Sequence, residues 1–442
     1  MGLLFIVAMF VSAAASLFAP WIGVLYGYLF VVLDPQDIWY WDFTGWRPVF
    51  LVLVPTCVGF LFAVVRRKVS LGIVRNRRNF YLLVLWIFVV ISYYFGPYTQ
   101  AGGPYRWDNA QSDLSVFGKI YLLYFIACIC IDSERKLRAM FYMFVLSAMY
   151  LVYWANRQYL TGHYFGRLNG PTALSGHGNY EDQNSFAMLF VVAQSFLWYF
   201  GFSFRRPLWR WLSWLWIPFS WHAVFLTGSR GGLLGLGATT VLIGIRSKKK
   251  ALGLALIPAL LLVFIWQGGS VMKDRAVTID HYKADGSAEG RLQSWRAAIR
   301  MIVAHPITGV GLASYGPAFP HYSDNRPREA HDTFLQIAAE SGLVAGTMYA
   351  LIVGTSLILL WRNGNKLKDQ KASNATSLWL INEAVLIGYC GLVVCSLFLS
   401  LQRFEIFYLL NVLTNAVLYL SSKRASAIEP KQGRLIKAEL GT

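Results

Sequence analysis

Long apolar runs separated by short polar segments make up most of this chain. An α-helix that crosses the roughly 30 Å hydrocarbon core of a bilayer needs about 20 apolar residues, with about 17 as the lower limit. Runs that reach or approach this length lie at residues 48–65, 79–95, 114–131, 137–154, 184–204, 211–226, 231–245, 251–267, 343–361, 378–400 and 404–421. The first 33 residues are also apolar but contain Pro20, which predicts either one long kinked span or two short ones. We prefer the kinked span, so the pattern predicts an all-α, polytopic integral membrane protein with about twelve transmembrane helices.

The composition supports this interpretation. Of the 442 residues, 56% are hydrophobic and only 14% are charged, and this apolar content exceeds that of ordinary soluble domains. No small-residue cleavage site stands out after the first apolar run, so we expect a retained anchor rather than a signal peptide. All five cysteines lie within predicted spans, so no disulfide framework is indicated. We interpret residues 1–442 as a single integral membrane domain.

The net charge of +18 is concentrated in a few connections between the spans. These connections hold 25 of the 40 Lys and Arg residues but only 5 of the 22 Asp and Glu residues, and they lie at 66–79, 132–138, 205–210, 246–250, 362–377 and 422–442. They alternate along the chain, as the positive-inside rule requires of cytoplasmic loops. The sequence therefore predicts cytoplasmic termini, an outer location for the long segment 268–342, and no nucleic-acid partner.

The outer segment 268–342 is rich in polar residues and predicts short helices outside the membrane. One helix is expected from about Gly290 to the sequence "HPITGVG", with Arg300 directed to solvent. Its apolar face is predicted to consist of Trp295, Ile299, Ile302 and Val303. For Arg296 and Arg300 we favour an interpretation without catalysis, in which an amphipathic helix lies on the membrane and these arginines contact lipid phosphates.

A second helix is predicted to begin at Asp332, which is a good N-cap residue. His331 directly precedes it, where the helix dipole favours the neutral imidazole that a general base needs. The alternative is a histidine in a loop at the membrane edge without a catalytic task. The other histidines lack metal-ligand spacing, so no metal site is predicted.

Arg230 lies in the stretch "FLTGSRGGLLGL" between two apolar runs. The glycines on either side of it let the backbone approach a ligand, and the next helix begins there. A helix N-terminus attracts phosphate, and a guanidinium matches phosphate oxygens well. The alternative is a turn arginine that extends to the membrane surface.

Three stretches taken together resemble the O-antigen ligase and O-antigen polymerase superfamily. They are "TGSRGG", "DGSAEGRLQSWRAAIRMIVAHPITGVG" and "AHDTFLQIAAESGLVAG", and they occur in the order typical of that superfamily. An earlier outer stretch, "GRLNGPTALSGHGNYEDQNSFAML", resembles a subgroup known as exosortase-associated O-glycosylation ligases. With this stretch included, the resemblance covers residues 165–346, and the apolar remainder fits the roughly twelve-span plan of the superfamily.

The resemblance implies a glycosyltransferase in the bacterial inner membrane with a periplasmic active site and no cofactor or metal. Its donor would be a glycan on undecaprenyl diphosphate and its acceptor a sugar hydroxyl of lipid A core, which gives lipopolysaccharide. By motif, Arg230 and Arg291 would hold the diphosphate, with Arg167 as a further participant. His331 would act as the base, and transfer would proceed with inversion. The sequence has Asp332 where Asn is commoner, which leaves the role of this position open.

Other functions remain open at this stage. Within the superfamily the alternatives are a glycan polymerase and a ligase that modifies protein hydroxyls. A lipid or solute transporter is a more distant alternative, because carriers place ionisable groups near the middle of the membrane. Here only Lys119 and Glu383 lie within predicted spans, each near enough to an end to reach the surface.

Overall fold

All regular secondary structure in the described part of the chain is helical, which confirms the predicted fold class. The computed structural model describes residues 1–100, 104–163, 166–171, 180, 182–267, 286–368 and 373–439. Residues 268–285 of the long polar segment therefore lie outside the described residues.

The helices follow one another with short connections. The first ten are α1 Gly2–Ser16, α2 Pro20–Leu33, α3 Pro35–Ile38, α4 Tyr40–Phe43, α5 Pro48–Val65, α6 Arg77–Phe95, α7 Pro97–Gln100, α8 Pro104–Cys130, α9 Glu134–Leu160 and α10 Gln183–Gly201. The remaining α-helices are α11 Pro207–Trp214, α12 Trp216–Thr227, α13 Arg230–Arg246, α14 Lys250–Leu254, α15 Leu256–Gln267, α16 Gly286–Ala304, α17 Tyr315–Ala318, α18 Thr333–Lys368, α19 Ser373–Ser396 and α20 Glu405–Glu439. Two 3₁₀ turns lie at Leu71–Val74 and Phe319–His321.

Several helices are long and apolar enough to cross a membrane. Among the described residues there are seven, at Pro48–Val65, Arg77–Phe95, Ala110–Cys130, Glu134–Leu160, Lys250–Gln267, Thr333–Lys368 and Ser377–Ser396. The other predicted runs also coincide with helices. Of these, α10 is buried along almost its whole length, as expected for an apolar helix at the centre of a bundle. The chain is a polytopic membrane protein.

The two ends of the bundle carry different parts of the sequence. At one end, the Tyr98 N–H donates to the Val310 carbonyl at 2.9 Å, and the Thr333 hydroxyl donates to the Leu399 carbonyl at 2.6 Å. We call this end the motif face, because it gathers the connections that contain the sequence motifs. The opposite end, which carries the basic connections such as 66–78 and 246–250, is called the basic face.

The first 33 residues form two helices that pair antiparallel, so the preferred single kinked span is wrong. Phe5 of α1 stacks on Trp39, which follows α2, with ring centroids 5.0 Å apart. Phe10 packs edge-on against Trp46 at 5.4 Å. The start of α1 therefore lies beside the end of α2, and Met1 lies at the motif face rather than the basic face. Pro20 is the first residue of α2, a position that tolerates proline because no helical hydrogen bond is lost there.

A buried ion pair joins α13 to α19 near the basic face. The Arg246 Nε and Nη2 atoms each donate to a different carboxylate oxygen of Glu383 at 2.7 Å. Nη1 of Arg246 donates to Asn365 at 2.7 Å, and the guanidinium lies 4.3 Å from the ring centroid of Trp361. Glu383 is 0% exposed, so the expectation that it reaches the membrane surface is wrong.

At the motif face, α18 is interrupted at Gly342, which has φ 88°. The loop "HPITGVG" docks on this break. The Leu343 N–H donates to the Pro306 carbonyl at 2.8 Å, and the Gly311 N–H donates to the Glu340 carbonyl at 3.1 Å. The helical turns Thr333–Ser341 therefore form a separate short helix on the motif face before the chain enters the long span.

The predicted helix after Gly290 is present as α16, but its packing face differs from the prediction. Ala297, Ala298 and Met301 are buried, whereas Ile299 is 53% and Val303 is 76% exposed. Small residues at this face let α16 lie close to its neighbours, and periodicity of large apolar residues cannot reveal that. Arg300 is exposed as predicted, and its Nη1 atom donates to the Tyr322 carbonyl at 2.8 Å.

Candidate active site

Arg230 is the first residue of α13, directly after a tight turn. Gly228 ends α12 in the left-handed conformation, with φ 60° and ψ 25°. The Ser229 hydroxyl oxygen then caps α13 by accepting from the Gly232 N–H at 3.1 Å. Ser229 and Thr227 are fully buried, while Arg230 is half-buried. A fixed backbone therefore holds Arg230 at a helix N-terminus on the motif face, as the sequence predicted.

Arg167 lies against the same turn. Its Nε atom donates to the Thr227 carbonyl at 2.8 Å, and its Nη2 atom lies 3.4 Å from the Asn184 side-chain oxygen. A side chain on Gly228 would come within 3.2 Å of Arg167 Nε. The second residue of the "TGSRGG" stretch is therefore glycine both for its backbone angle and for the space that Arg167 occupies. Two of the predicted arginines thus flank one turn.

Arg291 lies near Phe398, which in turn packs against the Arg230 turn. Its guanidinium carbon lies 5.9 Å from the Phe398 ring centroid. The Phe398 Cβ atom in turn lies 3.1 Å from where a side chain on Gly231 would begin. Phe398 belongs to the connection between α19 and α20, residues 397–404, which we call the hub loop. Phe398 of the hub loop therefore lies near both Arg291 and Gly231, the residue that follows Arg230.

His331 is held by the same hub loop. The Thr333 hydroxyl donates to the Leu399 carbonyl at 2.6 Å and accepts from the Leu401 N–H at 3.0 Å. On the other side of His331, the Ala330 N–H donates to Gln336 Oε1 at 2.9 Å. His331 itself has φ 51°, a left-handed conformation that is uncommon for a residue other than glycine. Such strain at a candidate base is typical of functional sites.

The Gln336 side chain connects this turn to a buried carboxyl group. Gln336 Nε2 donates to Glu340 Oε1 at 2.8 Å, and Glu340 also accepts from the Tyr315 N–H at 3.3 Å. Glu340 is 4% exposed. The backbone before His331 is therefore fixed by a chain of hydrogen bonds that begins at Glu340.

Charged neighbours and burial set the protonation of His331. Burial is the main cause that lowers the pKa of His331 from its ordinary value, and Arg291 and Arg328 lower this pKa further. Glu329 and Asp182 act in the opposite direction. A neutral imidazole is the form that can accept a proton, so the site favours the protonation state of a base.

Asp332 is the N-cap of α18, as predicted. Its Oδ1 atom accepts from the Leu335 N–H at 2.9 Å. Burial raises the pKa of Asp332, while hydrogen bonds from the backbone of Leu335 and Phe334 lower it. The carboxylate that stands where Asn is commoner therefore has a structural task in capping the helix.

Three residues near the site were missed from the sequence. The Arg328 guanidinium lies directly against Gly290, so a side chain at position 290 would displace it. Arg328 is also among the charges that act on His331, and so is Asp182, the N-cap of α10. The polar stretch "NRPREAHD" just before α18 was the available signal for Arg328. Phe398 had no signal, because nothing in the hub loop sequence "LFLSLQRF" resembles a motif.

The motif face thus brings together Arg167, Arg230, Arg291 and His331, all four of the predicted site residues. Within the described part of the chain, no three His, Cys, Asp or Glu side chains cluster as metal ligands. Most of the earlier outer stretch, residues 172–179 and 181, lies outside the described residues. What the site offers chemically is a set of guanidinium groups around a helix N-terminus, with an imidazole beside them.

A known protein family matches the part of the chain that contains most of this site. Residues 215–350 match the family model described as O-antigen ligase. The match supports the O-antigen ligase and polymerase superfamily. The matched segment contains the Arg230 turn, the Arg291 helix and His331, while Arg167 and the hub loop lie outside it. The predicted resemblance to this superfamily is confirmed, and its members are glycosyltransferase-like ligases and polymerases. No curated protein matches the chain.

Proposed function

We propose that this O-antigen ligase-like protein transfers a glycan from undecaprenyl diphosphate to a sugar hydroxyl of lipid A core. The observation that carries the proposal is the convergence of Arg230, Arg291 and His331 on the hub loop. Guanidinium groups suit a diphosphate, since each presents several donors in a planar fork. A diphosphate-linked sugar also carries its own activation, so transfer outside the cytoplasm needs no ATP.

The proposed step is a single displacement at the anomeric carbon. His331 takes the proton from the acceptor hydroxyl as its oxygen attacks, and the bond from the anomeric carbon to the diphosphate oxygen breaks. Undecaprenyl diphosphate leaves with the electron pair, and the configuration inverts. Arg230 and Arg291 stabilise the charge that grows on the leaving group, which is where fixed donors lower a barrier most. Arg167 and Arg328 extend the same set of guanidinium groups.

We further propose that the motif face is periplasmic and the basic face cytoplasmic, in a bacterial inner membrane. The asymmetry of Lys and Arg between the two faces supports this orientation. Single cysteines at Asn325 on the motif face and Lys68 on the basic face, in a variant without native cysteines, test it in intact spheroplasts. An impermeant thiol reagent should label the Asn325→Cys protein only. Equal labelling of both proteins would refute the orientation.

Purified protein supplied with a lipid-diphosphate-linked glycan and lipid A core tests the proposed activity. The expected product is lipid A core that carries the glycan, formed about 10² to 10³ times more slowly by Arg230→Ala. Longer glycan on the lipid carrier would instead identify a polymerase, and glycan on protein hydroxyls a protein ligase. Movement of the intact donor across a vesicle membrane without transfer would identify a transporter.

A further inference from the structure

A cavity of about 560 Å³ opens at the basic face, between the first turn of α6 and the neighbouring parts of α18 and α20. Because α6 ends at the motif face and its 19 residues extend about 28 Å, the cavity lies on the far side of the bundle from the candidate active site. Its volume falls within the range of small-molecule sites. The glycan transfer proposed above makes no use of it.

The floor of the cavity contains a buried arginine whose hydrogen-bonding capacity is only partly used. Arg78 is 5% exposed, and its Nη2 atom donates to Asn415 Oδ1. Its Nη1 atom is buried and has no hydrogen-bond partner among the residues that the structure describes. A buried charged group without a partner is costly. An anion in the cavity would supply the missing acceptor.

Asn415 fixes Arg78 from behind. Its Nδ2 atom donates to Asn79 Oδ1 at 2.9 Å and lies 2.8 Å from the Tyr124 hydroxyl oxygen. Tyr124 also donates to Asn79 at 2.6 Å. These side chains are buried, and Asn415 therefore holds the Arg78 guanidinium from a rigid position beside the cavity that Arg78 lines.

The rim adds three exposed arginines, Arg75, Arg77 and Arg362. No carboxylate lines the cavity, and within the described residues none of these arginines forms an ion pair. The cavity is therefore strongly positive and lacks an internal counter-charge. A divalent or monovalent phosphate group is the ligand that such a set of guanidinium groups recognises best.

One wall of the cavity is apolar and faces outward. Ile358 and Leu359 of α18 are 52% and 39% exposed, and Leu418 and Tyr419 of α20 stand beside them. A free phosphate has no use for such a wall, whereas a lipid has both a phosphate and acyl chains. Basic pockets between transmembrane helices are typical sites for acidic lipid headgroups.

We propose that this cavity binds an anionic phospholipid, with its phosphate on Arg78 and its acyl chains along Ile358 and Leu359. The rim arginines Arg75, Arg77 and Arg362 hold the headgroup at the membrane surface. The lipid then joins α6, α18 and α20 at the end where Arg78 Nη1 otherwise has no hydrogen-bond acceptor among the described residues. This role is independent of glycan transfer, and either proposal stands if the other fails.

Native mass spectrometry of the delipidated full chain tests the proposal. We expect phosphatidylglycerol to bind and to raise the unfolding temperature, whereas phosphatidylcholine with the same acyl chains does neither. Inorganic phosphate should bind at least about tenfold more weakly than the lipid, because it lacks the apolar contacts. Equal binding of both phospholipids, or protection by phosphate alone, would overturn the lipid assignment.

The chain offers a matched pair of variants. Combining Arg75→Gln, Arg77→Gln and Arg362→Gln should weaken phosphatidylglycerol binding by at least about tenfold. Combining Arg66→Gln, Lys68→Gln and Arg205→Gln removes the same charge from exposed positions that do not line the cavity, and should leave binding unchanged.

All six positions are exposed, so neither combination is expected to prevent folding. If both combinations weaken binding equally, the attraction is a general surface effect and the proposed site is wrong. If the rim combination binds phosphatidylglycerol as the unaltered chain does, the proposal is likewise overturned.

Discussion

The two ends of α13 carry the same residue type in two different settings. Arg230 begins the helix and Arg246 ends it, about 25 Å apart. Arg246 is 9% exposed and engages both oxygens of Glu383, so its guanidinium fork is filled by a carboxylate. Arg230 is half-buried at the helix N-terminus, beside a glycine turn and near Arg167 and the hub loop.

The two arginines have the same chemistry and differ only in their surroundings. At the basic face, the ion pair with buried Glu383 on a neighbouring helix gives Arg246 a structural role. At the motif face the arginine begins a helix directly after a glycine turn, and a helix N-terminus is a setting that suits an anionic ligand. The comparison predicts that loss of Arg246 harms stability and that loss of Arg230 harms activity.

The largest expected effect concerns the imidazole at the motif face. Replacing His331 by Gln keeps a hydrogen-bonding side chain but removes the base, so the transfer rate should fall by about 10² to 10⁴. Binding of the lipid-linked donor should persist, because the arginines remain. Steady-state transfer and donor binding of the purified variant measure this, with His321→Gln, an exposed histidine of the same face, as the control. A near-normal rate in His331→Gln would leave the residue as a positioning group only.

The next largest effect concerns the ion pair between Arg246 and Glu383 at the other end of α13. Removing only Glu383 leaves Arg246 buried without its counter-charge, which should lower the free energy of unfolding by about 3–5 kcal/mol. Replacing both partners by apolar residues, Arg246→Met with Glu383→Leu, should recover most of that loss. Denaturant unfolding in detergent measures both. If the double variant folds but does not transfer glycan, the basic face takes part in activity and the contrast between the two ends fails.

A third prediction is that Arg230, unlike Arg246, contributes to activity rather than to stability. Arg230→Ala should cost about 2.7–4 kcal/mol of transition-state stabilisation, or about 10² to 10³ in rate, with unfolding unchanged. Arg230→Lys should recover part of the rate, since it keeps the charge but loses the planar fork. Full activity with reduced stability in Arg230→Ala would make both ends of the helix structural.

The smallest effect is a shift of pH dependence at the motif face. Burial lowers the pKa of His331 below its ordinary value of 6.5, so the neutral base is lost only when pH falls through that lowered pKa. Transfer should therefore persist to lower pH than a histidine with an ordinary pKa would allow, and should decline as pH falls through the lowered pKa. Glu329→Gln removes a charge that raises this pKa, and it should move the decline to still lower pH. Rate against pH measures the shift, and Asp324→Asn, which is not among the charges that act on His331, is the control. A shift to higher pH would contradict the arrangement of charges.

Most of the helices were predictable because each corresponds to a continuous apolar run in the sequence. The pairing of α1 with α2 was not, since Pro20 signals a break but not the direction of the chain after it. That direction depends on packing against α5, where Gly59 approaches the Ser16 backbone and Gly23 approaches Thr56 too closely for any side chain. Contacts of this kind join residues far apart in sequence and leave no periodic signal.

The candidate site was predictable to the extent that it lies in motifs. Arg230, Arg291 and His331 each stand in a recognisable local pattern, and the structure places all three at one face. The hub loop, which contacts Arg291, the Arg230 turn and the Thr333 hydroxyl, follows an apolar helix and resembles no motif. The strained backbone of His331 depends on Gln336 in the next helical turn, whose partner the sequence does not reveal.

The antiparallel pair at the start of the chain has a consequence for the lipid around it. With 15 and 14 residues, α1 and α2 extend about 22 Å and 21 Å, which is less than the roughly 30 Å of bilayer hydrocarbon. Their turn contains Phe18, which is 90% exposed. We expect a hairpin of this depth to be re-entrant, with the hydrophobic mismatch thinning the adjoining bilayer. Membranes with longer acyl chains should therefore strain this edge of the protein before any other.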